Sequence, residues 1–253
     1  AGSLRARVLK VSKPEEIQLW HKTVLDSHNY WSMRSGPDDS GPERREKSVF
    51  DIRKPNAPLQ EIELPPLTSA DAFEVVGIPL PGPGFYVVEI ESPVLGQYLL
   101  GKNSPVFVST SVLVTKYATH LKWGSEDSLV WVTNLETGAP EQGASVDVYD
   151  CTGTRLFTGR TDESGLLEAG IPAQRKTASC DGIESQLIAV AEKGSDFSFV
   201  MSSWNEGIEP WRFNLNSDTW SYQPLTAHTV MARNLLRPGE RLDMKHVLRQ
   251  RTM

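Results

Sequence analysis

Hydrophobic positions along this chain fall mostly in short runs rich in Val, Ile, Thr, Tyr and Phe, divided by Gly and Pro. Turn signals at roughly 8–12-residue spacing with strands between them predict β-sandwiches. Leu4–Val11 opens the chain as a strand. Ser12-Lys13-Pro14-Glu15 then reads as a capping box, Ser12 being the N-cap and Glu15 reaching back to it. Ile17, Trp20, Val24 and Trp31 follow on one helical face, so a helix is expected over about 13–32, ending before Gly36-Pro37. The polar stretch 34–47 reads as a loop. Strands are expected at Val49–Arg53, Leu59–Leu64, Phe73–Ile78, Phe85–Glu91 and Val106–Val114, with the tight turn Pro81-Gly82-Pro83-Gly84 between two of them.

A second series of strands is expected at Val112–Trp123, Leu129–Thr133, Ala144–Tyr149, Thr154–Thr158, Gln186–Glu192 and Asp196–Ser202. Val146-Asp147-Val148-Tyr149 alternates and reads as half buried. Leu187-Ile188-Ala189-Val190 is continuous and reads as buried on both faces. Turns fall at Thr137-Gly138, Thr152-Gly153 and Glu163-Ser164-Gly165. Residues 204–225 are irregular and hold Trp204, Trp211 and Trp220. After the turn Arg237-Pro238-Gly239-Glu240, Leu242, Met244, His246 and Leu248 alternate with Arg241, Asp243, Lys245 and Val247, the imperfect period of a strand. The pattern predicts a mainly β chain: a β-sandwich with an inserted helix over 1–113, a second over 114–203, an aromatic-rich linker over 204–225 and the start of a third unit over 226–253.

The 253 residues carry 39% hydrophobic and 23% charged side chains, a globular composition. No run of about 18 apolar residues exists, so no membrane span is expected. Ala1-Gly2-Ser3 lacks a charged-then-apolar leader pattern and reads like a cloning scar or an internal cut. The net charge of −6 is uneven: residues 226–253 hold six basic and two acidic side chains, leaving an acidic body. That body argues against nucleic acid as a partner. Two cysteines, Cys151 and Cys180, exclude a four-cysteine zinc site.

Several segments then carry a resemblance. Trp131-Val132-Thr133-Asn134-Leu135-Glu136-Thr137-Gly138-Ala139-Pro140 resembles the VWVTDLxTGxPV strand and turn of macroglobulin domains. Gly143-Ala144-Ser145-Val146-Asp147-Val148-Tyr149 resembles GAxVxVYD, and Gly159-Arg160-Thr161-Asp162-Glu163-Ser164-Gly165 resembles GxTDxxG. Leu236-Arg237-Pro238-Gly239-Glu240-Arg241 resembles the YRPGExV start of a further domain, with Leu236 where the family has Tyr. Pro83-Gly84-Phe85-Tyr86-Val87-Val88-Glu89 resembles the PGxYxVxx strand that closes a preceding one. Order and spacing are similar to those of bacterial alpha-2-macroglobulins over residues 83–250 and less so over 1–80. The family's thioester motif, Cys-x-x-Gln, is missing at both cysteines.

The resemblance implies tandem macroglobulin-like (fibronectin/Ig-like) sandwiches and a scaffold fragment of a broad protease inhibitor. In that family the domains form a shell that rearranges around an attacking protease once a bait stretch is cut. It implies a periplasmic place, the parent being a membrane-anchored lipoprotein, with proteases as partners through the full-length parent and other envelope proteins beside them. No catalysis, cofactor or metal is expected. In an oxidising compartment Cys151 and Cys180 would close a loop of about 30 residues; two free thiols are the alternative. Gly138, Gly165 and Gly239 are expected to form turns, and Trp20 and Trp131 to sit in cores. His21 and His28, with Asp26 near, read as histidines on a partly exposed helix face rather than metal ligands. Asp38, Asp39, Glu43 and Glu46 read as a solvated loop rather than a calcium site. Arg233, Arg237, Arg241, Lys245 and Arg249 read as exposed rather than as a basic helical stripe, because Pro238-Gly239 breaks a helix. Trp204, Trp211 and Trp220 read either as pins for a linker or as a sugar-stacking platform. The latter supports a rival function, an envelope adhesin or carbohydrate-binding module.

Overall fold

A computed structural model describes residues 4–28, 47–65, 75–101, 104–124, 127–171, 186–204, 210–213, 225–233 and 235–250. The first unit contains β1 (Arg5–Val11), α1 (Pro14–His28), α2 (Val49–Ile52), β2 (Gln60–Glu63), β3 (Gly84–Ser92), α3 (Pro93–Leu100) and β4 (Val106–Val114). Its strands form one antiparallel sheet in the order β2-β1-β3-β4. Alternation splits the side chains between two cores. Leu9, Val11, Phe85 and Val87 point to one side, where Ile17, Trp20 and Val24 of α1 and Val49 and Phe50 of α2 meet them. Val8, Tyr86 and Val88 point to the other, beneath Ile62, Ile78 and Leu80.

The second unit contains β5 (Tyr117–Trp123), β6 (Ser128–Asn134), β7 (Ser145–Asp150), β8 (Arg155–Arg160), β9 (Leu166–Ala169), β10 (Leu187–Lys193) and β11 (Asp196–Met201). Two antiparallel sheets, β5-β6-β9 and β11-β10-β7-β8, face each other. Val130, Val132 and Ala169 of the first meet Val146, Val148, Leu187, Ala189 and Ala191 of the second in a buried core. Such a sandwich is the expected arrangement for two half-apolar sheets. Two turns need glycine. Gly138 has φ 69°, and Gly165 has φ 70° with a hypothetical Cβ only 2.5 Å from the Val132 carbonyl oxygen.

Beyond the sandwich lie a 3-10 turn at Pro210–Phe213 and a hairpin of β12 (Leu225–Met231) and β13 (Met244–Gln250). Between the hairpin strands Gly239 takes φ 87°. Leu225, Val230, Met231, Met244 and Leu248 of the hairpin are exposed.

The mainly β reading stands, but several local expectations change. Val49–Arg53 is not a strand. Val49–Ile52 is the helical turn α2, because the Ser48 side chain accepts a hydrogen bond from the Phe50 amide and caps it while Val49 and Phe50 sink into the core. Of Phe73–Ile78, the part from Val75 on is irregular, and residues 73–74 lie outside the described residues. Val112–Trp123 is two strands, broken at Thr115-Lys116. α1 begins at Pro14, one residue later than a Ser12 cap would start it, and ends at His28 among the described residues; Trp31 lies outside them. Elements α3, β9 and β12 had no counterpart in the sequence reading. The first unit supplies a single sheet, and its second layer is α1 together with a sheet borrowed from the second unit.

Candidate functional site: a joint between two units

The continuous apolar run at Leu187–Val190 requires cover on both faces of β10. Leu187, Ala189 and Ala191 enter the sandwich core. Ile188 and Val190 face away from it and pack with Leu9, Val11, Phe85, Val87 and α1. Pairing extends this outward face: Ile188 stands opposite Met201 and Val190 opposite Phe199 on β11, and Ile188 opposite Tyr149 on β7. Met201 and Phe199 are buried in the same core as Trp20 and Phe50, with Tyr149 and Phe197 packed against it. One hydrophobic core therefore spans both units.

Rings line the seam. Phe85 of β3 meets Phe199 of β11 edge-on, centroids 5.4 Å apart, and Phe199 lies 5.3 Å from Trp204. Trp204 in turn meets His21 of α1 edge-on at 5.4 Å. Such pairs add to burial through the ring quadrupoles. Gln18, Gln186 and His21 each have a polar partner at the seam. Gln18 Nε2 of α1 donates to Gln186 Oε1 at 2.9 Å, and Gln186 Nε2 donates to Ser203 Oγ at 2.6 Å. His21 Nδ1 lies 3.2 Å from Ser111 Oγ of β4, and burial pushes its pKa below the usual histidine value.

The covalent connection between the units is short and held. The Lys116 amide donates to Asp196 Oδ2 at 2.9 Å, and the Leu135 amide donates to the Lys116 carbonyl at 2.7 Å. Lys193 pairs with Glu141 and also donates to the Gln142 carbonyl at 3.0 Å, tying the β10–β11 turn to the loop before β7.

A second charged cluster fixes α2 under the joint. Glu89 is 0% exposed. Its Oε1 accepts from Ser48 Oγ at 2.9 Å and from Arg7, and its Oε2 accepts from the Val49 amide at 2.7 Å. The Arg7 guanidinium lies 5.4 Å from both the Phe50 and Phe107 ring centroids. A buried carboxylate survives only when its lone pairs are met in this way.

The residues singled out in the sequence are placed as follows. Trp20 is buried in the shared core. Trp131 is not a core residue: it is 42% exposed, on the outer face of β6, because Val130 and Val132 take the inward positions. Its indole Nε1 donates to the Ser164 carbonyl at 3.2 Å, and its ring lies 5.3 Å from His120. Trp204 is 46% exposed, its ring engaged with His21 and Phe199. Trp211 has its backbone in the 3-10 turn; Trp220 lies outside the described residues, as do Asp38, Asp39, Glu43, Glu46 and Cys180. Cys151 is 7% exposed just beyond β7. His28 ends α1, and among the described residues no group of three or more His, Cys, Asp or Glu is placed to hold a metal. Arg233, Arg237, Arg241, Lys245 and Arg249 fall on the hairpin and its turn, not on a helix. Gln18, Gln186, Phe199 and Glu89 were not singled out. For Phe199 the two-faced run at Leu187–Val190 was the available signal, since its strand partner must share the outward face.

Antiparallel sheets joined through apolar faces, one pair closing as a sandwich, define a mainly β protein with a macroglobulin-like β-sandwich fold. Residues 114–220 match the family described as the bacterial alpha-2-macroglobulin MG3 domain. Over that segment, the sandwich and the strand system around it, the chain is similar to a bacterial alpha-2-macroglobulin MG3 domain. No curated protein matches it. Native alpha-2-macroglobulin from Escherichia coli spanning domains NIE-MG1 is similar at 13% identity and a TM-score of 0.43, covering 79% of this chain and 83% of that one. A second structure of that protein, spanning MG0-NIE-MG1, is similar at 14% identity and a TM-score of 0.42, covering 78% of this chain and 54% of that one. At such scores the likeness to a macroglobulin domain rests on the match over 114–220.

Proposed function

We propose that this chain is a non-enzymatic structural part of a bacterial alpha-2-macroglobulin that traps attacking proteases in the cell envelope. The observation that carries the reading is the MG3 match over residues 114–220. In this reading the chain meets proteases only through the full-length parent, stands beside other envelope proteins, and is periplasmic, on a parent anchored as a lipoprotein. No group on it turns over substrate.

A Cys151–Cys180 disulfide belongs to the same reading. Cys151 is not a free thiol, and Cys180 is the only other cysteine in the chain. A structural disulfide suits an oxidising compartment such as the periplasm.

The test incubates the full-length parent with trypsin and follows two substrates. A trapped protease keeps its activity on a small peptide ester and loses it on a large protein substrate. The 253-residue chain alone is expected to leave both activities unchanged. Direct inhibition or substrate turnover by the chain alone overturns the proposal.

A further inference from the structure

Macroglobulin-like domains in tandem suggest separate bodies that turn about the connections between them. We infer that here the first unit and the MG3-type sandwich form one cooperative body, joined through the outer face of β10 and β11, so that no pivot exists at Thr115-Lys116.

Three observations carry this. The outer face of the sandwich is not a polar face: Ile188, Val190, Phe199 and Met201 are all buried against Leu9, Val11, Phe85, Val87 and α1. Parting the units would bare that whole surface to water, and apolar area exposed in one patch opposes opening. The seam also holds a buried amide pair, Gln18 with Gln186; opening without full rehydration leaves both amides unsatisfied. The connection itself is fastened at its amide and its carbonyl, by Asp196 and by Leu135. Inter-domain contacts that permit motion are ordinarily more polar than this.

The test uses native-state hydrogen exchange on the full chain with two variants, each placed far from the seam. Val130→Ala lies in the sandwich core, and Val8→Ala lies under the far face of the first sheet. Truncating a buried Val speeds exchange through global opening by about tenfold or more. If the units are one body, Val130→Ala accelerates the slowest amides of α1 and β1 by the same factor as those of β6 and β10, and Val8→Ala does the same in reverse. In the unmodified chain the slowest amides of both units then exchange with one common opening constant. Acceleration confined to the mutated unit, or two distinct opening constants in the unmodified chain, overturns the inference.

Discussion

Gln18 on α1 and Gln186 at the head of β10 are 168 positions apart in sequence and share a buried 2.9 Å hydrogen bond between their side-chain amides. Both amides lie where the helix of one unit meets the sheet of the next. Replacing Gln18 by Leu leaves the Gln186 carbonyl oxygen buried without its donor. A loss of about 1–3 kcal/mol is expected for that single change. In the double variant Gln18→Leu with Gln186→Leu, a smaller loss than the sum is expected. Urea midpoints of the four proteins of the cycle check this.

Glu89 is a fully buried carboxylate held by Ser48, the Val49 amide and Arg7. Glu89→Gln keeps the shape and leaves the Arg7 cation without its counter-charge. Breaking one side of a buried pair costs about 3–5 kcal/mol. Arg7 is partly reached by solvent, its side chain 14% exposed, so the lower end is expected. Chemical denaturation reads the loss, and the α2 amides should lose exchange protection first.

His21 carries the expected pH response. Burial lowers its pKa in the folded protein. The unfolded chain therefore takes up this proton more readily, and stability rises with pH across that window. The contribution is fully present above the unfolded histidine value and is lost as pH falls through the lowered folded value. Melting curves at descending pH should show the parent chain losing stability faster than His21→Gln over this interval. An identical pH slope in both proteins would remove His21 from the account.

Gly165 and Gly138 share a left-handed backbone but differ in what surrounds them. A Cβ on Gly165 meets the Val132 carbonyl oxygen and the Glu141 amide; one on Gly138 meets open space. Gly138→Ala should cost about 1–2 kcal/mol, the strain of the conformation alone. Gly165→Ala should cost more, because backbone atoms cannot step aside as a side chain can. Thermal midpoints of the two variants rank them.

Reduction of the proposed Cys151–Cys180 bridge should lower the melting temperature by several degrees, since closing a loop of about 30 residues contributes roughly 3–4 kcal/mol. Peptide mapping without reductant should return the two cysteines on one linked fragment. An unchanged melt with separate peptides would remove the bridge.

Local sequence determined where many of the strands lie along the chain. Runs rich in Val, Ile, Thr, Tyr and Phe between turn signals placed β1, β3 and β4, and the turn residues around Gly138, Gly153 and Gly165 bracketed β6, β7 and β8, because a turn that requires glycine restricts where strands can start. Helical periodicity named Ile17, Trp20 and Val24 as a buried face, and all three are in the core. Where local signals were equal, context decided: Val49-Phe50 fits a strand or a helical turn, and the Ser48 cap with the buried Glu89 carboxylate selects the turn.

The sequence by itself also determined that Leu187–Val190 must be covered on both faces, since a continuous apolar strand has no side it can offer to water. It could not say by what. That was decided only in three dimensions, where Ile188 and Val190 found Leu9, Phe85 and α1, more than eighty residues away along the chain. Trp131 marks the same limit from the other side: its residue type favours a core, but which of two alternating faces points inward depends on where the opposing sheet lies.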